Sequence, residues 1–252
     1  MHPWLARMQA FQNNDAEFDD DRERREAIVV YYGLCSFMDA QMGKVFDALE
    51  SSGQLDNTLV IYCSDHGETL GMRSRLGKQV LYGESTRVPL IVAGLGLPSG
   101  LRRQTAVSLL DLPPTMCDAL AVAPDNKWPG TSLLSMLDTE VPERLVFSEY
   151  HAVGSPTGGF MIANTHWKYH HYVDYPPELF HLPSDRLEEH NLAGLLEHAE
   201  VQHRMHRALL YICDPEQVNQ EAKADQDALV QRWGGAQAAL KVGPKGASPA
   251  PG

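Results

Sequence analysis

Asp65 and His66 stand side by side in VIYCSDHGETLG, where an apolar run gives way to an acid, an imidazole, a glycine and a second acid. A carboxylate and a neutral imidazole are both ligands for divalent cations, provided the backbone turns sharply enough for adjacent side chains to converge. Gly67 permits such a turn. A polar turn after a buried strand has the same composition, so the pair leaves two readings open, a turn or half of a metal site. It is at most half, because hard cations take six or more donors and softer ones at least four. Lys78, thirteen positions beyond Asp65, falls in a Gly-flanked loop before the next apolar run. It either returns to the same crevice to meet an anion held by the metal, or is a solvated loop lysine. His151, in SEYHAVGS, lies where a strand gives way to a Gly and Ser turn, and reads as a proton donor to a departing alcohol or as a surface histidine.

Other polar residues read as structural. Arg73 and Arg75 either bind an anionic group on the substrate or are solvated loop charges, and solvation is the expectation for each. Arg87 is expected to brace the loop through Glu84 or Glu68, and Asp39 to brace a helix against a loop. His170 and His171 fall on opposite faces of a regular strand, so His166, His170, His171 and His181 are not a metal cluster. Cys35, Cys63, Cys117 and Cys213 show neither C-x-x-C spacing nor paired His ligands, and read as small core residues.

The elements that must position these residues follow from periodicity. REAIVVYYGLCSFMDAQMGKVFDALESSG has helical apolar spacing closed by Gly53. NTLVIYCSD and RVPLIVAG are short runs typical of strands covered on both faces. SLLDLPPTMCDALAV restores helical spacing from Leu109 to Val122, with Pro113 and Pro114 tolerable only in its first turn. This order is that of an α/β sheet with helices on its faces. RLVFSEY, GGFMIANT, HWKYHHYV and PELFHLP then predict a small antiparallel meander. A late helix is expected from a Ser184 or Asp185 cap, free to pack on the core or to dock on a neighbouring subunit. The tail, 241–252, reads as disordered.

The 252 residues carry a formal net charge of −12, with the basic residues scattered, which disfavours a nucleic-acid partner. No apolar run approaches the roughly 20 residues needed to cross a bilayer. The opening MHPWLARMQAFQNNDAEF lacks the apolar core of a secretory signal, so the sequence reads as soluble and leaves the compartment, cytoplasmic or periplasmic, open.

S-D-H-G-E, then L-G-K, then T-R-V-P-L-I-V, from Ile61 through Val92, resembles the carboxyl-terminal half of the sulfatases of the alkaline phosphatase superfamily. The helix before Asp65 and the segment from SEY to HNLA extend the resemblance over most of residues 1–210. It implies an α/β fold, a partial alkaline-phosphatase-like sheet flanked by helices, with a small antiparallel C-terminal subdomain. The expected divisions are 1–140 for the α/β part, 141–210 for the subdomain, 211–240 for a helical extension and 241–252 for the tail. It also implies that Asp65 and His66 ligate a divalent cation and that Lys78 contacts the sulfate or its leaving oxygen. Calcium leads among the candidates, but His66 stands where many sulfatases have Asn, so manganese, magnesium and zinc stay open. The family's C/S-x-P-x-R motif, oxidised to formylglycine, is absent from these residues, as is the early strand with an Asp pair. Cys213 in CDPEQ comes nearest but lacks the arginine and reads as structural. The sequence therefore reads as the back half of a sulfatase acting on a small sulfated ester, as a possible homo-oligomer. Two rivals remain: a phosphodiesterase or phosphonate monoester hydrolase of the same superfamily, and a catalytically inactive binding or assembly module.

Overall fold

The computed structural model describes residues 1–12 and 20–238. Pro3, with no N–H to leave unpaired, opens helix α1 (Pro3–Gln12). This helix, too short to announce itself by periodicity, buries Trp4, Leu5 and Met8. Asp20 accepts the Glu23 N–H and starts α2 (Asp21–Ser51), which matches the predicted helix and ends before Gly53 at φ 68°. No residue of α2 is buried. Asp39 and Cys35 are therefore exposed, and neither the bracing role of the first nor the core role of the second holds.

β1 (Val60–Cys63) and β2 (Leu90–Ala93) pair antiparallel, Val60 against Ala93 and Cys63 against Leu90. Both strands were expected to be covered on both faces. Instead Tyr62 and Ile91 are exposed, and the two strands pair only with each other. The loop between them contains a 3₁₀ turn at Met72–Ser74 and one α-helical turn, α3 (Gly83–Thr86). α4 (Leu112–Ala119) carries Pro113 and Pro114 in its first turn, as predicted.

The predicted meander is present as β3 (Val146–Tyr150), β4 (Gly159–Ala163), β5 (Trp167–Tyr172) and β6 (Tyr175–His181), in that spatial order and antiparallel throughout. β4 is buried on both faces, and its period of two divides the core. Met161 and Ala163 join Trp4, Leu5, Met8, Leu81, Tyr82 and Phe180 on one side. Phe160 and Ile162 join Tyr169, Leu179, Met205 and Leu209 on the other.

The late helix begins later than Ser184 or Asp185. Asp185 accepts the backbone N–H groups of Glu189 and His190, which holds a non-helical loop, and α5 runs only over Ala199–Ile212. Asp214 then caps a separate helix with Pro215 at its first position, α6 (Pro215–Arg232). The tail 241–252 lies outside the described residues. No helix among them is long and apolar enough to cross a membrane.

Candidate metal and anion site

The chain turns immediately beyond β1. Ser64 Oγ donates to the His66 carbonyl at 2.8 Å, and Asp65 Oδ1 accepts the His66 N–H at 3.0 Å. His66 Nδ1 lies 2.8 Å from the Gly67 carbonyl oxygen. A carbonyl only accepts, so Nδ1 carries the proton and Nε2 presents its lone pair. That Nε2 is 3.3 Å from Asp65 Oδ2 and 2.6 Å from Lys78 Nζ. Two electron-rich atoms so close repel each other unless positive charge faces both, and here the Lys78 ammonium supplies it. Some loss of hydration would raise the exposed Asp65 carboxyl, but the His66 amide, the His66 ring and Lys78 outweigh it and hold the group below the usual carboxylate range.

Lys78 is brought back by a short closed loop. The Gly67 N–H donates to the Ser85 carbonyl at 2.8 Å, and a Cβ on Gly67 would stand 2.0 Å from the Glu84 carbonyl oxygen. Close approach of two backbone segments, rather than a left-handed turn, is thus what requires glycine there. The Glu68 carboxylate accepts the Gly77 N–H, while the Thr69 N–H donates to the Gly77 carbonyl at 2.9 Å. Gly77, at φ 90°, then delivers Lys78 opposite His66.

Three sequence expectations about this loop are corrected. Arg73 is not solvated: its guanidinium stacks 3.5 Å over the Tyr82 ring, lies 3.3 Å from Glu84 and donates to the Leu187 and Glu188 carbonyls. Arg75 is buried, so it is not a solvated charge either. Arg87 approaches Glu188 at 3.9 Å rather than Glu84 or Glu68, because Arg73 and the Gly77 amide already occupy those carboxylates.

Two buried polar clusters hold the loop to the meander. Glu188 accepts from Lys168 Nζ at 3.0 Å and from the Gly83 N–H, and Lys168 also donates to Thr86 Oγ1. Burial pushes the Lys168 amine down from its ordinary value, against the opposing pull of Glu188. Glu178 accepts from Tyr82 Oη at 2.6 Å, from Tyr172 Oη at 3.1 Å and from His170 Nδ1 at 3.1 Å. Burial alone would raise Glu178, but His170 and Tyr82 prevail and bring it to about 2. Burial drives His170 the other way, toward its neutral form. None of Lys168, Glu178 and Glu188 stood out in the sequence, and Glu68 was expected only as a partner of Arg87. Lys168 and Glu178 at inward strand positions were the only legible signal, since charge there needs a partner.

Asp65, His66 and Lys78 line one cavity of about 870 Å³, together with Ser148, Glu149, Asn164 and His166 from the meander and its turns. His151 is not among its lining residues. Its ring packs edge-on against Phe160, centroids 5.2 Å apart, with Nε2 3.3 Å from Glu149. Cys213 packs against the second core cluster, and burial pushes its thiol up, as suits a structural residue. Among the described residues no group of three or more His, Cys, Asp or Glu side chains converges as a metal site. The donor chemistry of Asp65 and His66 nevertheless fits a cation: a charged carboxylate beside an imidazole whose second nitrogen is fixed by a carbonyl.

A Sulfatase family model matches residues 1–122, and the model for the N-sulphoglucosamine sulphohydrolase C-terminal region matches residues 71–214. Arylsulfatase K of Danio rerio is 32% identical over 203 residues, 77% of this chain and 39% of that protein. Choline-sulfatase of Rhizobium meliloti (strain 1021) is 36% identical over 186 residues, 73% of this chain and 36% of that protein. The crystal structure of the phosphonate monoester hydrolase of Agrobacterium radiobacter superposes with a TM-score of 0.63 at 31% identity, covering 72% of this chain and 40% of that one. The chain thus spans about two fifths of the length of the relatives it matches. Matched by a family model over more than half its length, and sharing an alkaline-phosphatase-like α/β fold with these neighbours, the chain belongs to the sulfatase family.

Proposed function

We propose that this chain carries the carboxyl-terminal share of a sulfuric ester hydrolase site, acting on a small sulfated ester. The convergence of Asp65, His66 and Lys78 beside one cavity carries the reading. Asp65 and His66 Nε2 hold a divalent cation, calcium foremost, together with ligands from outside these 252 residues. When bound, that cation supplies positive charge and Lewis acidity at a sulfate oxygen. Lys78 turns its ammonium toward the same oxygens, so that charge developing in the transition state meets a fixed cation. Glu68 and the Gly77 turn keep Lys78 at that position. The attacking oxygen would have to come from a formylglycine outside this sequence, which contains no C/S-x-P-x-R. His151 reaches the leaving alcohol only if its contact with Glu149 opens.

Likeness to a phosphonate monoester hydrolase favours a second reading, in which the same residues face a phosphorus ester. Rates on 4-nitrophenyl sulfate and on a phenyl phosphonate ester, measured side by side on a preparation that also contains the nucleophile segment, separate the two. Sulfate turnover should dominate; phosphonate turnover faster by orders of magnitude would replace the reading. The 252-residue chain by itself should show no sulfatase turnover with added calcium or manganese.

A further inference from the structure

We propose that His170 is an acid-operated catch on the loop that carries Asp65, His66 and Lys78, holding it to the meander while the imidazole is neutral and releasing it when the imidazole takes a proton. That the loop is a metal and anion site rests on the reading above; the catch itself does not. Tyr82 is the joint between the two parts. It is buried, its carbonyl accepts the Ser85 and Thr86 N–H groups at 3.0 Å, and Arg73 stacks 3.5 Å over its ring, so loop and ring move together. Its hydroxyl donates to Glu178 on β6, and His170 on β5 packs edge-on against the same ring, centroids 5.0 Å apart.

His170 is fully buried, and only one of its nitrogens is served. Nδ1 lies 3.1 Å from Glu178, and a carboxylate accepts, so Nδ1 carries the proton. Nε2 meets no hydrogen-bond partner among the described residues. The rings of Tyr82, Tyr172 and Phe180 stand around the imidazole, with centroids 5.0, 5.9 and 5.5 Å away. A second proton would place a charge and an unpaired N–H inside this aromatic enclosure, and such a group either stays neutral or opens its surroundings to water. The neighbouring charges do not offset that cost. Glu178 favours the imidazolium but is already shared by Tyr82, Tyr172 and the Nδ1–H. Glu188 also favours it, yet it is committed to Lys168 and the Gly83 N–H, while the Lys168 ammonium opposes it. Arg73 adds positive charge on the loop side, and His2, stacked on Tyr172 at 4.6 Å, offers no carboxylate on the side of α1. Burial prevails and holds His170 toward its neutral form. The second core cluster contains neither His170 nor Tyr82, so β4–β6 keep their other packing when Tyr82 withdraws.

The test is hydrogen exchange on the metal-free 252-residue chain at pH 7.5 and 5.5, corrected for the intrinsic rate of each amide. An imidazole that takes its proton only in the open state, at an ordinary pKa of about 6.5, favours opening about tenfold more at the lower pH. The Gly83, Ser85 and Thr86 amides should therefore lose about tenfold in protection, while those of β4–β6 change by less than about twofold. His170→Gln should remove this response, and His206→Gln, at a separate histidine of α5, should leave it intact. A second measurement needs no variant: nitrogen-15 shifts of the wild-type His170 ring should still report Nδ1–H and an unprotonated Nε2 in the folded protein at pH 5.5. The proposal is overturned by a His170 that titrates near pH 6.5 with the loop still protected, by loop protection that does not depend on pH, or by equal loss in the loop and in β4–β6. Loss confined to the loop of a chain that binds no Mn²⁺ keeps the catch and removes the metal reading; a pH-independent loop in a chain that binds Mn²⁺ does the reverse.

Discussion

At Gly67 a hydrogen atom faces the Glu84 carbonyl oxygen, and even a methyl group has no room. Gly67→Ala should therefore cost about 1–3 kcal/mol, read as a lowered urea midpoint, and should move His66 away from Lys78. Asp65→Ala or His66→Ala should weaken Mn²⁺ binding, followed by electron paramagnetic resonance, by about tenfold or more with little change in stability. In a preparation containing the nucleophile segment, Lys78→Ala should lower kcat/KM for a sulfate ester by about 10²–10³-fold. Acid acts elsewhere, on His170 and Glu178. Both bind fewer protons folded than unfolded, so stability is complete above about pH 6.5 and falls as His170 resists protonation below it. A further loss follows as the pH drops from the ordinary carboxylate range toward about 2, where Glu178 finally protonates. His170→Gln keeps a donor for Glu178 and should flatten the upper branch, compared by urea unfolding at pH 7.5 and 5.5. That Asp65, His66 and Lys78 come together was legible in sequence because they lie within one local loop. Their supports were not, since Glu188 reaches the Gly83 N–H and Tyr82 reaches Glu178 only after the meander has folded over the loop.

At the scale of elements, the joint between the loop and the meander is ionic as well as apolar. Glu188→Ala removes the partner of a buried ammonium and the acceptor of the Gly83 N–H, and should cost about 3–5 kcal/mol. Adding Lys168→Met should recover part of that loss, because it removes the stranded charge; urea midpoints of the single and double variants check this. Elements fixed by period and by proline were readable: α2, both ribbon strands, α4 and all four meander strands appear where expected. Two were not. α1 is ten residues with three buried side chains, too little pattern to read, and the start of α5 is displaced by the side chain of Asp185 competing for backbone N–H groups. Leucines at Leu187, Leu192 and Leu195 imitate a helical stripe, but only Leu192 packs against the core.

Across the whole molecule the buried side chains gather on both faces of the meander, while the longest helix has none. Sequence periodicity reports that a residue is suited to burial; it does not report what covers it, and α2 has the apolar spacing of a core helix although none of its residues is buried. Trp4 occupies the opposite situation. Its indole is fully buried, donates through Nε1 to the Thr157 carbonyl and tilts against Tyr172 at 4.8 Å, so the first turn of the chain seals a sheet that begins more than a hundred positions later. Removing residues 1–12 should accordingly loosen β4–β6 rather than α2. In a variant whose other three tryptophans, Trp128, Trp167 and Trp233, are replaced by Phe, Trp4 thereby becomes a gauge of that closure: its emission should redden as soon as α1 lifts away, even before the strands themselves separate.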